Sequence, residues 1–295
     1  MLLKELLFHE KQSELNENRK IEKFENPEIS KENNDLWSLE NKEVDDINEC
    51  QELSQEMYHQ AIEHIYFSEG GYMPRDTLER IKKGPDVINI TPYKEGSGTV
   101  GCFYFHNGYS TIEVSNISKD QMERTMQHEV NHFSSFNREV PFERSDREYV
   151  LKACGVRRTE VRLTEDGEIG GILEDKYRGM NEGITSMFTH RQLGEISPEK
   201  EIAARRENGY ESATILCEGL RDAIGEDTIK EAYYGGDLEQ LRNVIDINAG
   251  IDSFERLARD MDRVTYSSDY AIRIESMKEA QEILARVWEG VHNND

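Results

Sequence analysis

Apolar positions along the chain change period several times, and each change predicts an element. Residues 10–48 carry few apolar side chains among Glu, Asn, Lys, Asp and Ser, which is too little to offset the entropy of ordering, so a tail is expected there. From Val44 to Phe67 the pattern becomes helical: Ile47, Leu53, Met57, Ile62 and Ile65 share one face, and Gly70-Gly71 stops it. A short helix over Asp76 to Lys83 closes at Gly84-Pro85. The period then falls to two. Val87 to Ile90 and Thr99 to His106 read as strands, with a turn at Gly96-Ser-Gly98 between them. Asn107-Gly108 is a hairpin signal that makes Tyr109 to Val114 the partner strand.

Helical spacing returns after Ser118, which with Gln121 forms a capping box. Met122, Met126, Val130 and Phe133 make one stripe, so this helix should pack on the sheet. The polar stretch from Phe136 to Arg147 is expected to loop over the surface. Val156 to Leu163 alternates, Glu165-Asp-Gly167 turns, and Ile169 to Ile172 pairs back. A helix carrying Ile184, Met187 and Phe188 should run to about Gln192 and end at Gly194. From Ser197-Pro198 onward, stripes separated by glycines at 225, 235, 236 and 250 predict a helical bundle. The expected architecture is α+β, a small antiparallel or mixed sheet lobe followed by a mainly helical lobe. The expected organisation is an acidic tail over 1–44 and one domain over 45–295, its sheet lobe at 45–139 and its helical lobe at 140–295.

Composition narrows the partners. With 60 acidic against 36 basic residues the net charge is -24, which opposes binding to nucleic acid or to an anionic membrane surface. A solvated acidic surface explains that charge more simply than steering of a basic substrate. Cys50, Cys102, Cys154 and Cys217 are scattered without C-x-x-C spacing and read as free thiols of a reducing compartment. No apolar run approaches the length of a membrane span. Met1 to Phe8 is too short an apolar stretch for a signal peptide, so a cytoplasmic setting is expected.

Candidate chemistry concentrates in Met126 to Phe133, which holds the H-E-x-x-H spacing at His128, Glu129 and His132. Residues four apart stack on one helix face, so both imidazoles can reach a single ion. Glu129 stands one position round, close enough to accept a proton from an activated water. His59 and His64 lie five apart and do not align on one face. Two histidines leave a zinc site short of a third protein ligand. A Gly and a third His soon after His132 are missing, and Glu182 is the best candidate; His190, eight residues further on, competes with it.

His128-Glu129-x-x-His132 followed by Asn181-Glu182-Gly-Ile-Thr185 resembles the gluzincins, metallopeptidases whose third zinc ligand is a Glu on a second helix, and in particular bacterial members with an Asn-Glu-Gly-[Leu/Ile]-Thr segment. The resemblance covers about the middle third of the chain. It implies a zincin-like fold, Zn²⁺ on His128, His132 and Glu182, Glu129 as general base, and a peptide or protein substrate. It also implies an edge strand that receives an extended peptide, for which Tyr109 to Val114 is the candidate. An oxyanion donor is expected near the metal, with Tyr210 the first choice by position and Tyr177, Tyr233 and Tyr234 its rivals. One departure stands out. Many gluzincins place an acid four residues after the ligand Glu to orient a histidine, and here that position is Ser186. Glu160, Glu174, Asp175 or a backbone carbonyl are the expected substitutes. The rival to an enzyme is a non-catalytic zincin-like scaffold or an acidic helical protein-binding module, and an intact Glu129 speaks against a disused scaffold.

Overall fold

A computed structural model describes residues 47–92, 100–116, 118–144, 147–206 and 209–293. The acidic tail and the Gly96-Ser-Gly98 turn lie outside them. Helix α1 (Ile47–Glu69) ends in a short 3₁₀ turn (Gly70–Tyr72) and is followed by α2 (Arg75–Lys83), closed by Gly84. Strands β1 (Val87–Pro92), β2 (Gly101–His106) and β3 (Tyr109–Asn116) then form a sheet in the order β1-β3-β2. Asn107 and Gly108, with φ of 50° and 74°, make the two-residue turn whose twist suits an antiparallel hairpin. β1 instead pairs parallel to β3, which corrects an expectation: Tyr109 to Val114 is the central strand. Its even positions Ser110, Ile112 and Val114 are all buried on one face, and the free edges belong to β1 and β2.

Helix α3 (Lys119–Ser134) starts where expected, with the Ser118 hydroxyl accepting from the Gln121 N–H. Met122, Met126, Val130 and Phe133 are all at most 1% exposed and form one core with Ile88, Ile112, Val114 and the α1 residues Met57, Ile62 and Ile65. The next stretch overturns another expectation. Residues 137–144 are not a surface loop: β4 (Asn137–Arg144) and β5 (Arg147–Cys154) pair in register and continue into β6 (Arg157–Leu163) and β7 (Ile169–Lys176) as an antiparallel meander. Charged side chains hid these strands because buried positions fall mainly on the central strands β5 and β6, so most of the sheet remains wet.

Helix α4 (Arg178–Ile196) crosses the molecule next. It runs through Gly194, whose position Glu201 of the following helix closely approaches, and stops at Ser197-Pro198. Gly183 is needed for space, since a Cβ there would lie 2.7 Å from the Ala213 carbonyl oxygen. Helices α5 (Pro198–Arg206), α6 (Glu211–Ile224), α7 (Glu226–Tyr233), α8 (Leu238–Ala249), α9 (Ser253–Tyr266) and α10 (Tyr270–His292) complete the expected bundle. The chain is therefore α+β, with two sheets in its first part and helices after them. A buried ionic network ties the halves together: Glu69, fully buried at the end of α1, meets Arg191 of α4 and Lys230 of α7, the latter at 3.0 Å.

Candidate metal centre

Three side chains converge between α3 and α4. His128 Nε2 and His132 Nε2 stand 3.2 Å apart, and both reach the same oxygen, Glu182 Oε2, at 3.2 and 3.3 Å. Ligands about 2.0–2.1 Å from a tetrahedral ion lie roughly 3.3–3.4 Å from one another, so this triangle has the size of one face of such a site. Read as hydrogen bonds alone, the same separations would set two ring nitrogens against each other with one shared acceptor. These residues are the group among the described residues that can hold a metal ion, and their donor set suits a divalent one.

The electrostatics agree. Burial alone would raise the Glu182 carboxyl, but His132 and hydrogen bonds from both histidines hold it far below the carboxylate range, so it is charged. Burial likewise disfavours a charged His132, yet Glu182 outweighs it and raises the affinity of that nitrogen for a positive charge. Glu182 sits in the second turn of α4, not the first, so favourable placement at a helix start does not account for it.

Glu129 lies beside the triad under the free edge of β2. Its carboxyl is raised by burial, against the pull of His128 and His132 and a hydrogen bond from the Phe103 backbone. Gly101 permits this approach: a Cβ there would stand 2.3 Å from Thr125 Cγ2 and 2.8 Å from Glu129 Oε1. The ring of Tyr210, at the N-cap of α6, stacks on His128 with centroids 5.8 Å apart and planes 16° from parallel. Burial, with Glu182 and Glu129 nearby, drives its phenol strongly upward and keeps the proton on. The rival tyrosines are engaged elsewhere, Tyr177 with Glu255, Tyr233 with Thr185 and Tyr234 with Asn131.

His190 is not brought into the triad. It is buried two turns beyond Glu182, its Nδ1 has no hydrogen-bond partner among the described residues, and burial together with Arg205 and His128 lowers it to about 4. The acids expected to replace the residue missing at Ser186 also pair elsewhere: Glu160 with Arg144, Glu174 with Lys176 and Asp175 with Arg157. What surrounds His132 Nδ1 is instead Thr185 Oγ1 and Asn181 Nδ2, both at 3.4 Å, with the Cys154 thiol as a further neighbour. Asn181 and Thr185 stand in the same Asn-Glu-Gly-Ile-Thr segment as Glu182, so the signal for them was present; Cys154 and the β2 edge carried none.

Compared with family models, with curated proteins and with solved structures, the chain matches none of them.

Proposed function

We propose that the protein is a zinc-dependent metallopeptidase of the gluzincin type, with a zincin-like arrangement of its sheet edge and two ligand helices. The observation that carries this reading is the triangle of a half-buried His128 with buried His132 and Glu182, Glu129 at its side. His128 Nε2, His132 Nε2 and Glu182 Oε2 hold the ion in this reading. When bound, such an ion acidifies water and polarises a carbonyl oxygen.

The chain's own residues supply the rest. Glu129, buried and flanked by both histidines, accepts a proton from the attacking water and passes it to the leaving amine. Tyr210, kept protonated, donates a hydrogen bond to the developing oxyanion. The free edge of β2, whose Phe103 N–H already faces Glu129, offers backbone groups to an extended peptide, and this edge is what favours a peptide bond over other carbonyl substrates.

Metal analysis of the purified protein beside Glu182→Ala and Glu129→Gln, with peptide-library cleavage on each, tests the reading. One zinc per chain in the wild type and Glu129→Gln, loss in Glu182→Ala, and cleavage by the wild type alone are expected. A wild type that takes up no metal when zinc is supplied would overturn it.

A further inference from the structure

Strand β2 can receive a peptide over only part of its length. Residues of an edge strand turn their backbone groups alternately towards the sheet and away from it. Val100 O, just before β2, accepts from the Ser115 N–H of β3 at 2.8 Å, so Gly101, Phe103 and Phe105 face outward. The Phe103 N–H is turned to Glu129. Phe105 O is already occupied, because Lys152 Nζ of β5 donates to it.

Further contacts hold Lys152 in this place. Its ammonium pairs with Glu139 Oε1 of β4 at 3.0 Å, and the same oxygen meets His106 Nδ1, at the end of β2, at 3.1 Å. Glu139 Oε2 accepts from the Asn107 N–H at 2.6 Å, and His106 Nε2 faces the Gly167 carbonyl of the β6–β7 turn at 3.3 Å. Lys152 and Glu139 are both half-buried, so a peptide that swept the ammonium aside would leave a carboxylate short of its counter-charge. Two residues further along β5, Cys154 Sγ approaches His132 O at 4.0 Å. Lys152 and Cys154 share one face of β5, so this strand runs from the end of α3 to the end of β2 and walls off that side of the candidate centre.

We propose that Lys152 is a specificity-determining residue that ends the peptide-binding edge at Phe105, so that a substrate is cut within about two residues of one chain end, as an exopeptidase cuts. The inference rests on the peptidase reading above. From Phe103, where Glu129 stands, to Phe105 the strand measures roughly 7 Å, the length of two extended residues. A longer segment on that side would have to pass through the Lys152 side chain and the Glu139 carboxylate paired with it.

Cleavage by the zinc-loaded full chain of long linear peptides of mixed sequence, and of the same peptides cyclised head to tail, tests the proposal, with products read by mass spectrometry. The wild type should cut every linear peptide near one and the same end, which the products identify, and leave the cyclic ones intact. Lys152→Ala frees Phe105 O and should cut internally roughly three- to tenfold faster than wild type, the effect of about one added edge hydrogen bond. Lys152→Arg, which can keep both contacts, should cut as wild type does. A second readout needs no turnover: with peptide added to the metal-free wild type, amide shifts should move at Gly101 and Phe103, and reach Phe105 only in Lys152→Ala. Internal cuts by the wild type, or cut sites unchanged in a folded Lys152→Ala, would overturn the inference alone. Should that variant fail to fold, the wild-type cut sites decide. A wild type that binds zinc and cuts no peptide of either kind would instead overturn the peptidase reading.

Discussion

At the scale of one side chain, the role proposed for Tyr210 rests on two contacts. Its ring covers His128, and its proton is retained because burial and two nearby carboxylates oppose ionisation. Tyr210→Phe keeps the stacked ring and deletes only the donor. Its turnover on a cleaved peptide should fall roughly 10²–10³-fold, with KM and zinc content close to wild type. Unchanged turnover would return the oxyanion role to another group. Glu129 and Gly101 form a pair of the same kind: the acid is useful because a strand passes so close, and the strand passes so close because residue 101 has no side chain.

At the scale of elements, α3 must hold two histidines in register although its end is far from water. The carbonyls at its end and just beyond it are met by Arg80 of α2, which donates to Phe133 O at 2.9 Å, Ser135 O at 2.7 Å and Asn137 O at 3.5 Å, and by Asn137 Nδ2, which also donates to Phe133 O and Ser135 O. Burial pushes that guanidinium down to about 10, and its partners are neutral carbonyls. Arg80→Met fills similar volume but leaves Phe133 O and Ser135 O to Asn137 Nδ2 alone, and should lower unfolding free energy by about 1–2 kcal/mol in urea titrations. Arg80→Lys should recover little, because one ammonium cannot span three acceptors. A Met variant as stable as wild type would show that the cap contributes nothing. At the start of α4, Tyr177 takes a left-handed φ of 63°, a strained value for a bulky residue, and is anchored there by Glu255 and Arg242. This turn aims Asn181, Glu182 and Thr185 at α3.

Over the whole molecule, two linkages should be measurable. An ion bound only by the folded chain stabilises it by mass action, so zinc at 100 times its Kd should add roughly 2.7 kcal/mol and a chelator should remove it. Thermal melts of wild type and Glu182→Ala check this, and equal midpoints with and without zinc in the wild type would contradict it. The second linkage is acidic. His190 is neutral in the fold because burial first, then Arg205 and His128, lower it from 6.5 to about 4. The unfolded chain thus binds the extra proton more readily between those values. Stability from this group is fully present above about pH 6.5, falls as pH drops towards 4, and is flat below, by roughly 3 kcal/mol at most. His190→Gln should lose less stability than wild type between pH 7 and 4.5 in denaturant titrations. Identical losses would show that His190 titrates normally.

Local pattern determined much of this protein. Helix α3, its Ser118 cap, the Asn107-Gly108 hairpin and the C-terminal bundle follow from spacing and turn chemistry, which act over a few residues and leave their mark in the chain itself. The spacing of His128, Glu129 and His132 also fixed which side chains share a helix face, and the segment around Glu182 pointed to the third donor. Tertiary structure decided what depends on distant pairing. Strand order made β2 an edge and β3 the centre, because β1 pairs parallel to β3 from outside the hairpin. Pairing of the charged strands β4 and β5 placed Gly155 and Val156 against Asn181 and Cys154 against His132, and hence gave His132 neutral partners where an acid was expected. A carboxylate at Ser186 would have been visible in sequence; a hydroxyl, an amide and a turn from a separate sheet meet only because the chain folds back on itself.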